Sequence, residues 1–370
     1  MNENKNDGMA GTAYLPTFVI AYSDSSFTNP HEVALPDDPQ ECTGRFTHMG
    51  AKYWGFETAR HRATTLDAAN QQFHFDDTAY HWLELGLKTE SRVNRIDIST
   101  RWFTGNQVQE VAVDLKVDGT WLEVISRAPL QPDQEHHFEI ANDAAAHPAT
   151  ECRVRCYHEG GISRISLFGA QVRGLEAKVN LLDSATISHV SNEHYGKPSD
   201  AVAGIRGIDY MFGWESARTG FGEYALFHLK EPAAVNEVVV DTYLHRLNPP
   251  LACHIFGLDI SSSSDVDAAW AQRPRFKLTF NDGTEVVPEN FRAYMADKRY
   301  YSEKVTEPSA FSVSLINPYE TIWHPLVPFG ALRADTWHSF SKIEFNSPVS
   351  HILYMHYPNG GIHGLKVFGH

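Results

Sequence analysis

The chain contains two copies of one sequence unit, in tandem and with their motifs in the same order. Four pairs of blocks match, and they are G-F-E-T-A-R (55–60) with G-W-E-S-A-R (213–218), R-V-N-R-I-D-I-S-T (92–100) with A-V-N-E-V-V-V-D-T (234–242), Trp121 to Phe138 with Trp323 to Phe340, and Y-H-E-G-G-I-S-R-I-S-L-F-G (157–169) with Y-P-N-G-G-I-H-G-L-K-V-F-G (357–369). Four ordered matches leave little room for chance, so the fold must consist of two similar units.

The length of 370 residues also favours two units, since single hydrophobic cores stop growing below ~300 residues. We predict a first unit at 1–173, which includes an N-terminal tail, and a second unit at 174–370. The offset between matching residues rises from 142 to 202 between the second and third blocks, which predicts an insertion of about 60 residues around 249–322. An insertion of this length is typical of a lid, a wall of a binding site or an oligomer contact.

Apolar and polar residues alternate with a period of two along much of the chain. Val111, Val113 and Leu115 alternate with Ala112 and Asp114, and the same pattern recurs around residues 96–98, 152–156, 165–167, 238–240 and 365–367. This period predicts half-buried strands, and no long helical period competes with it. The sequence therefore predicts an all-β sandwich, jelly roll or barrel in each unit.

The formal net charge of −15 arises from 46 acidic and 31 basic residues, without a run of lysine and arginine. We therefore expect neither a nucleic-acid partner nor an anionic membrane partner, and no segment approaches the ~20 apolar residues of a membrane span. The four cysteines follow no C-x-x-C spacing, and Cys152 and Cys156 lie too far apart along a strand to form a disulfide. Reduced thiols and a polar N-terminus predict a cytoplasmic protein.

These blocks resemble the allantoicase family, whose members are tandem repeats of a galactose-binding-like jelly-roll domain. The similarity covers about residues 18–369, and its strongest parts are G-F-E-T-A-R-H (55–61), W-F-T-G-N (102–106), L-x-P-D-x-x-H-x-F-E (130–139) and E-G-G-I-S-R-I-S-L-F-G (159–169). The resemblance implies an all-β fold of two tandem jelly-roll β-sandwich domains. It also implies a hydrolase that cleaves a C–N bond of allantoate to give ureidoglycolate and urea in purine breakdown.

The two copies depart from the family pattern in different places. Where the family has D-T-x-x-F-x-G-N, the first copy reads Ser99-Thr100 but keeps F-T-G-N, and the second keeps Asp241-Thr242 but continues as L-H-R-L-N. The family motif G-W-E-T-R-R-H appears as G-F-E-T-A-R-H, with Ala59 in place of an arginine. We expect the first copy to be better suited to the chemistry and the second copy to help shape access for the substrate.

The chemistry implied by the resemblance needs three kinds of group. A cation must hold the substrate carboxylate, an acid must protonate the leaving ureido nitrogen, and a base must activate water. Arginine suits the first role because its planar guanidinium binds a carboxylate with two hydrogen bonds. The candidate catalytic residues are Glu57, His136, Glu159, Glu215 and His338, and the candidate substrate-binding residues are Arg60, His61, Trp102, Asn106, Arg218 and Asp241.

Each candidate also has a structural interpretation. The Glu-x-x-Arg pairs, Glu57 with Arg60 and Glu215 with Arg218, are either ion pairs that fix a loop or an acid with a carboxylate clamp. Asn106 either hydrogen-bonds a ureido group or caps a turn. The glycine pairs at 160–161 and 360–361 indicate either turns with positive φ or a close approach of the backbone to a ligand, and we favour the turns.

The histidines are twenty in number, so the proximity of any one of them to a motif is weak evidence. His136 and His338 are stronger candidates because they occupy equivalent positions in the two copies, and histidine is the usual proton carrier near neutral pH.

The predicted partner is a small ureido or guanidino compound, and we expect a homo-oligomer. No organic cofactor is expected, whereas a divalent metal such as Mn²⁺ stays open, since no H-x-H or H-x-x-x-H spacing occurs. Two other functions fit the sequence. One is a related enzyme that acts on another ureido, guanidino or amide substrate, and the other is a non-catalytic jelly-roll protein that binds a ligand.

Overall fold

The structure is a computed structural model, and it describes residues 13–25, 27–172, 178–206, 213–218, 222–291 and 311–370. The chain divides into two compact units, residues 1–176 and 177–370. The N-terminal tail before residue 13 and the predicted boundary between residues 173 and 174 lie outside the described residues, so that boundary stays a prediction.

Short strands dominate both units. The strands of the first unit are β1 (Ala13–Leu15), β2 (Thr17–Tyr22), β3 (Phe46–Thr47), β4 (Gly50–Ala51), β5 (Phe56–Glu57), β6 (Thr64–Asp67), β7 (Gln72–Phe75), β8 (Tyr80–Ser99), β9 (Glu110–Val117), β10 (Thr120–Pro129), β11 (Glu135–Glu139), β12 (Ala149–Tyr157), β13 (Gly161–Ile162) and β14 (Arg164–Gln171). The strands of the second unit are β15 (Thr186–Ser188), β16 (Tyr195–Gly196), β17 (Trp214–Glu215), β18 (Glu223–Ala233), β19 (Val235–Asp241), β20 (Ala252–Asp259), β21 (Arg275–Phe280), β22 (Glu285–Val286), β23 (Phe311–Ile316), β24 (Trp323–Ala331), β25 (Trp337–Phe340), β26 (Val349–Tyr357), β27 (Gly361–Ile362) and β28 (Gly364–Gly369).

The helices of the described ranges are short. They are α1 (Asn142–Ala145), α2 (Pro198–Ala203), α3 (Val266–Ala271) and the 3₁₀ helices at Pro30–Ala34 and Leu181–Ser184. None of them is long and apolar enough to cross a membrane. The predicted all-β class is therefore confirmed.

Strand β8 belongs to both sheets of the first unit. Its first half pairs with β2 and β12, where Leu85 lies opposite Val19 and Cys152. Its second half pairs with β11 and β14, where Ile98 lies opposite His136 and Ile165. The first sheet continues through β9 to β10, and the second continues from β14 to β1. The buried side chains between the two layers form one core, which is the arrangement of a jelly-roll sandwich.

The second unit repeats this arrangement, with the long strand divided into β18 and β19. One sheet has the order β15-β18-β26-β20-β24, and the other has the order β25-β19-β28. A second core, around Phe227, Val240, Ile255 and Tyr354, fills the space between them. The prediction of two tandem jelly-roll β-sandwich domains is therefore confirmed.

The outer face of the larger sheet in the first unit is charged. Glu84, Arg153 and Asp114 lie next to one another on β8, β12 and β9, and Arg153 pairs with Glu84 at 2.9 Å. Asp114 accepts hydrogen bonds from both Nε and Nη2 of Arg155, at 3.0 and 2.9 Å. The prediction that β9 is half-buried is wrong, because these neighbours also cover its outward face, and Ala112 and Asp114 are buried.

The matching face of the second unit is apolar because the insertion covers it. Leu226, Leu353 and Phe256 occupy the positions of the three charged residues on equivalent strands. They are buried together with Phe276 and Leu278 of the inserted strand β21. The insertion therefore packs as a further layer on this sheet.

The inserted segment begins later than we predicted. Strand β20 pairs with β24 and β26 as β9 pairs with β10 and β12, so residues 252–259 belong to the repeat. The segment without a counterpart runs from 260 to 322. Strands β21 and β22 form its hairpin around Asn281-Asp282-Gly283, where Gly283 has a φ of 86°. Its residues 292–310 lie outside the described part of the chain.

All four cysteines are free thiols, as the sequence predicted, and all four are buried. Burial raises the pKa of the Cys253 thiol to about 12. Burial also raises the pKa of Cys152 and of Cys156.

Candidate functional site

The glutamate of the first motif lies where two short strands meet. Glu57 on β5 pairs with Gly161 on β13. The Thr58 N–H donates to the Gly160 carbonyl at 3.0 Å, and the Gly160 N–H donates to Thr58 Oγ1 at 3.0 Å. Gly160 has a φ of 140°, a conformation that favours glycine. The first glycine of the pair therefore fixes the backbone next to Glu57.

The Glu57 carboxyl group is buried, with 6% of the residue exposed. The Asn106 side-chain amide donates to Glu57 Oε1 at 3.1 Å, whereas Oε2 has no hydrogen-bond partner among the described residues. Burial raises the pKa of Glu57, and the Asn106 hydrogen bond and the Arg60 charge oppose this only in part. Glu57 is therefore suited to carry a proton at a higher pH than an exposed glutamate.

The second glycine of the pair fixes the loop that brings Asn106 to Glu57. The Phe103 ring packs so closely on Gly161 that a Cβ there would lie 2.0 Å from the ring. The Gly161 N–H donates to the Asn106 carbonyl at 2.8 Å. Positive φ thus explains the first glycine, as we predicted, whereas Gly161 is required because no side chain fits against Phe103.

Glu159 and His61 lie at the outer edge of this site. Glu159 Oε2 accepts a hydrogen bond from the His61 N–H at 2.6 Å, and Glu159 Oε1 lies 3.9 Å from His61 Nδ1. His61 has a φ of 68°, and its side chain is exposed. Arg60 is also exposed, next to His61 in the chain. The structure thus brings Glu57, Asn106, Arg60, His61 and Glu159 together around one loop pair.

Trp102 anchors the loop that carries Asn106. Its indole N–H donates to the Pro39 carbonyl at 2.9 Å, and its backbone N–H donates to Asp133 Oδ1 at 2.9 Å. The equivalent residue in the second unit is Leu244, whose N–H donates to Asp335 Oδ1 at 2.8 Å. The shared feature is therefore the backbone anchor, and the predicted contact of Trp102 with a substrate stays a prediction.

His136 and His338 are bound to backbone groups through both ring nitrogens. His136 Nδ1 lies 3.1 Å from the Ile98 carbonyl, and its Nε2 accepts a hydrogen bond from the Gln131 N–H at 2.8 Å. His338 repeats this with the Val240 carbonyl at 3.0 Å and the Arg333 N–H at 2.9 Å. A ring whose Nδ1 donates and whose Nε2 accepts is neutral, with no nitrogen left for a substrate. The geometry supports a structural role and does not support the predicted catalytic one.

The equivalent site of the second unit keeps the backbone frame but changes the side chains. Glu215 on β17 pairs with Gly361 on β27, and Gly360 again has a φ of 140°. The Gly361 N–H donates to the carbonyl of Asn248, the counterpart of Asn106, at 2.8 Å. Here the ring that packs on the second glycine belongs to His245, at the position of Phe103.

Asp241 and Arg218 were predicted to bind the substrate from the second copy. Asp241 is buried and holds Arg206 with two hydrogen bonds of 2.8 Å, so both of its oxygens are engaged. Arg218 is exposed and lies three residues after Glu215, as Arg60 follows Glu57. Substrate binding by these two residues stays a prediction.

Sequence reasoning missed Asp24, which supports the first motif. Asp24 Oδ1 accepts a hydrogen bond from the Ala59 N–H at 2.8 Å, and its Oδ2 lies 2.8 Å from Nδ1 of the buried His81. Burial alone would raise the pKa of Asp24, but the hydrogen bonds from His81 and Ala59 lower it. Asn192 occupies the same position in the second copy, and the alignment of Ser23-Asp24 with Ser191-Asn192 was the signal that could have found it.

A metal site does not emerge from the described residues. No group of three or more histidine, cysteine, aspartate or glutamate side chains among them is placed to hold a metal ion. The described residues therefore do not offer a ligand set for a metal such as Mn²⁺.

The fold and site together define a duplicated jelly-roll protein with a buried carboxyl group beside an amide and an exposed arginine. The model of the allantoicase repeat matches residues 12–172 and 179–370. Because these matches cover most of the chain and both units, the chain belongs to the allantoicase family.

Several proteins with that name are similar to this chain. The "Probable allantoicase" of Pseudomonas fluorescens strain SBW25 is 24% identical over 376 residues, covering 96% of this chain and 94% of that protein. The "Allantoicase" of Saccharomyces cerevisiae is 26% identical over 272 residues, covering 67% of this chain and 75% of the other. A solved structure of an allantoicase aligns over 96% of this chain and 91% of that chain at 20% identity, with a TM-score of 0.33.

Proposed function

We propose that this protein hydrolyses a C–N bond of allantoate and releases urea and ureidoglycolate. Family membership in both repeats supports the reaction class, as do relatives named allantoicase that align over nearly the whole chain. The mechanism rests on the environment of the Glu57 carboxyl group. This group is buried and bound by Asn106, and one of its oxygens has no hydrogen-bond partner among the described residues.

In this mechanism Glu57 is the acid. Its raised pKa keeps a proton available, and it passes that proton to the ureido nitrogen as the bond to the central carbon breaks. Water supplies the hydroxyl group that forms on the same carbon, and a base takes the water's second proton. Asn106 holds Glu57 Oε1, so the buried Oε2, which has no hydrogen-bond partner among the described residues, is the oxygen that carries the proton.

The groups at the edge of the site fit the other two tasks. Arg60 is exposed and lies three residues from Glu57, where its guanidinium is the carboxylate clamp. Glu159 is the base, because its carboxylate is half-exposed and is held in place by the His61 N–H at 2.6 Å. In the second unit Asn359 replaces Glu159, so this base belongs to the first unit only.

The direct test is urea release from allantoate by the purified protein, followed over time. We expect turnover by the unaltered protein and a lower rate in Glu57→Gln, by up to ~10²–10⁴-fold if the first unit carries the whole reaction. Glu123→Gln is the matched control, because Glu123 pairs with Arg155 on the outer sheet face. Release no faster than the uncatalysed reaction would refute the proposal.

A related substrate is the second candidate, and Ala59 is the observation that favours it. The resemblance places an arginine of the family motif at this position, so one cation is lost beside the site. A less acidic ureido or guanidino compound would need fewer cations. Comparison of kcat/KM over a panel of ureido and guanidino acids separates the candidates, since the second requires another compound to exceed allantoate.

Location and assembly belong to the same proposal. Four buried, unpaired thiols support a reducing compartment, and we propose the cytoplasm. We also propose a homo-oligomer, which analytical ultracentrifugation tests directly, since a mass of 41.6 kDa would contradict it.

A further inference from the structure

The second unit differs from the first at the one position that packs on the second glycine. Phe103 fills this position in the first unit and is fully buried. His245 fills it in the second unit and is only half-buried. The substitution replaces an inert ring by one that can carry a proton, on an otherwise equivalent backbone.

Asn248 fixes which nitrogen of His245 carries the proton. His245 Nδ1 lies 3.3 Å from Asn248 Oδ1, which can only accept a hydrogen bond, so Nδ1 donates. The Nε2 lone pair is then available, and no hydrogen bond among the described residues uses it. In the first unit the equivalent Asn106 binds Glu57 instead. The asparagine side chain therefore hydrogen-bonds the glutamate in the first unit and the histidine in the second.

Titratable groups surround His245 on the neighbouring elements. Glu215 on β17 and Asp241 on β19 act on it as negative charges, and His363, between β27 and β28, acts as a further basic group. Asp241 is itself paired with Arg206. His363 is buried, and neither of its ring nitrogens has a partner in the described part of the chain. The first unit has Ser163 and Ser99 at the positions of His363 and Asp241, so this cluster is particular to the second unit.

We propose that the second unit holds its own proton-transfer site, in which His245 is the base that activates water for ureide cleavage and Glu215 is the carboxylate that balances the charged ring. His245 Nε2 takes a proton from water while the water oxygen bonds to the central carbon, and the ring returns that proton to the ureido nitrogen as the C–N bond breaks. The step consumes one water and changes no net charge. It rests on the proposed function, because it assigns the same reaction to a second set of residues.

The two sites should respond to pH in opposite directions. Burial lowers the pKa of His245, despite the opposing effects of Asn248 and Glu215, so its ring is neutral at neutral pH and becomes charged in acid. A site that needs neutral His245 gains rate as pH rises through that pKa. The first site needs protonated Glu57, so it loses rate as pH rises through the raised pKa of that carboxyl group.

The experiment compares urea release from allantoate by four proteins across pH, namely the unaltered chain, Glu57→Gln, His245→Phe and the double variant. Phenylalanine is the residue that fits this position in the first unit, so the fold should tolerate it. We expect Glu57→Gln to keep an activity that falls in acid. The double variant should release urea at least ten-fold more slowly than Glu57→Gln. His324→Phe is the matched control, because that ring stacks on Phe345 outside both sites.

The outcomes separate this proposal from the proposed function. If Glu57→Gln is as inactive as the double variant, or if His245→Phe changes nothing in the Glu57→Gln background, the second site is refuted while allantoate hydrolysis stands. If the unaltered chain releases no urea, the proposed function fails. Independently of the rate measurements, the His245 ring resonances are followed by NMR during addition of allantoate. Their failure to shift would also refute the second site.

Discussion

Glu57 places an ionisable carboxyl group where ionisation is unfavourable. Burial raises its pKa in the folded chain above the value near 4.3 of an exposed glutamate. The protonated form is therefore favoured by folding, and stability falls as pH rises through the raised pKa. The same property that suits the residue to proton donation should thus make it a local source of instability.

We expect Glu57→Gln to raise the melting temperature at pH 7. Glutamine is uncharged and keeps an oxygen for the Asn106 amide, which removes the cost of burying a group that is ionised at pH 7 in the unfolded chain. At pH 4, where the folded carboxyl group is already protonated, the gain should disappear. Thermal unfolding at the two pH values measures the difference, and an equal effect at both would contradict this account of Glu57.

His338 should contribute to stability and not to turnover. Its replacement by phenylalanine removes hydrogen bonds to the Val240 carbonyl and the Arg333 N–H, at about 1 kcal/mol each. Urea denaturation at pH 7.5 should therefore show a loss of about 2 kcal/mol, with kcat unchanged. A ten-fold fall in kcat without a loss of stability would restore the catalytic assignment, and His136→Phe repeats the test in the first unit.

The pH dependence of His338 has a definite sign. Burial lowers its pKa in the folded chain, and the Val240 hydrogen bond opposes this only in part. The stabilisation is complete above the ordinary pKa near 6.5 and is lost as pH falls towards the lowered folded value. The difference between the unaltered protein and His338→Phe should therefore shrink when denaturation is repeated at pH 5.

The sequence identified the site residues by motif but could not assign their roles. Glu57 and Asn106 were both candidates, and their hydrogen bond joins residues 49 positions apart, which no local pattern reveals. His136 and His338 were candidates for catalysis because they recur. A turn that recurs, however, also requires the same side-chain hydrogen bonds to its backbone in each unit. Asp24 was missed because its partners, Ala59 and His81, lie far from it in the chain.

At the scale of the element, the two-residue strand β13 is sensitive to a small change. We expect Gly161→Ala to destabilise the first unit by about 1–3 kcal/mol, because the new methyl group would lie 2.0 Å from the Phe103 ring. The displaced loop also carries Asn106, so turnover should fall. Gly105→Ala is the matched control in the same loop, since a Cβ there meets no atom within 4 Å.

Strand positions were predicted well because alternation survives wherever one face meets the core. The patterns around 152–156 and 365–367 correspond to β12 and β28, whereas β19 buries all three residues 238–240. The prediction was wrong for the outer face of β9, where ion pairs cover a charged residue that the pattern alone places in solvent. The predicted start of the insertion, residue 249, was also eleven residues too early, because the absence of a matching motif before Trp323 left the start of the gap undefined.

At the scale of the whole molecule, the insertion and the sheet beneath it depend on each other. Replacement of residues 260–322 by Asp-Gly-Thr, the turn of the first unit, should uncover Leu226, Phe256 and Leu353 and cause aggregation. Restoration of the first unit's charges through Leu226→Glu, Phe256→Asp and Leu353→Arg should reduce that aggregation. Size-exclusion chromatography with light scattering measures both outcomes, and a monodisperse first variant would contradict the dependence.

The reactivity of the buried thiols can report the unfolding of each unit separately. Cys152 and Cys156 lie in the core of the first unit, and Cys253 lies in the core of the second. Because burial suppresses their thiolate forms, an alkylating reagent reaches them only when the surrounding core opens. Pulse alkylation followed by peptide mass spectrometry should thus report the opening of the two units separately. The native cysteines serve as the probes, so none has to be engineered.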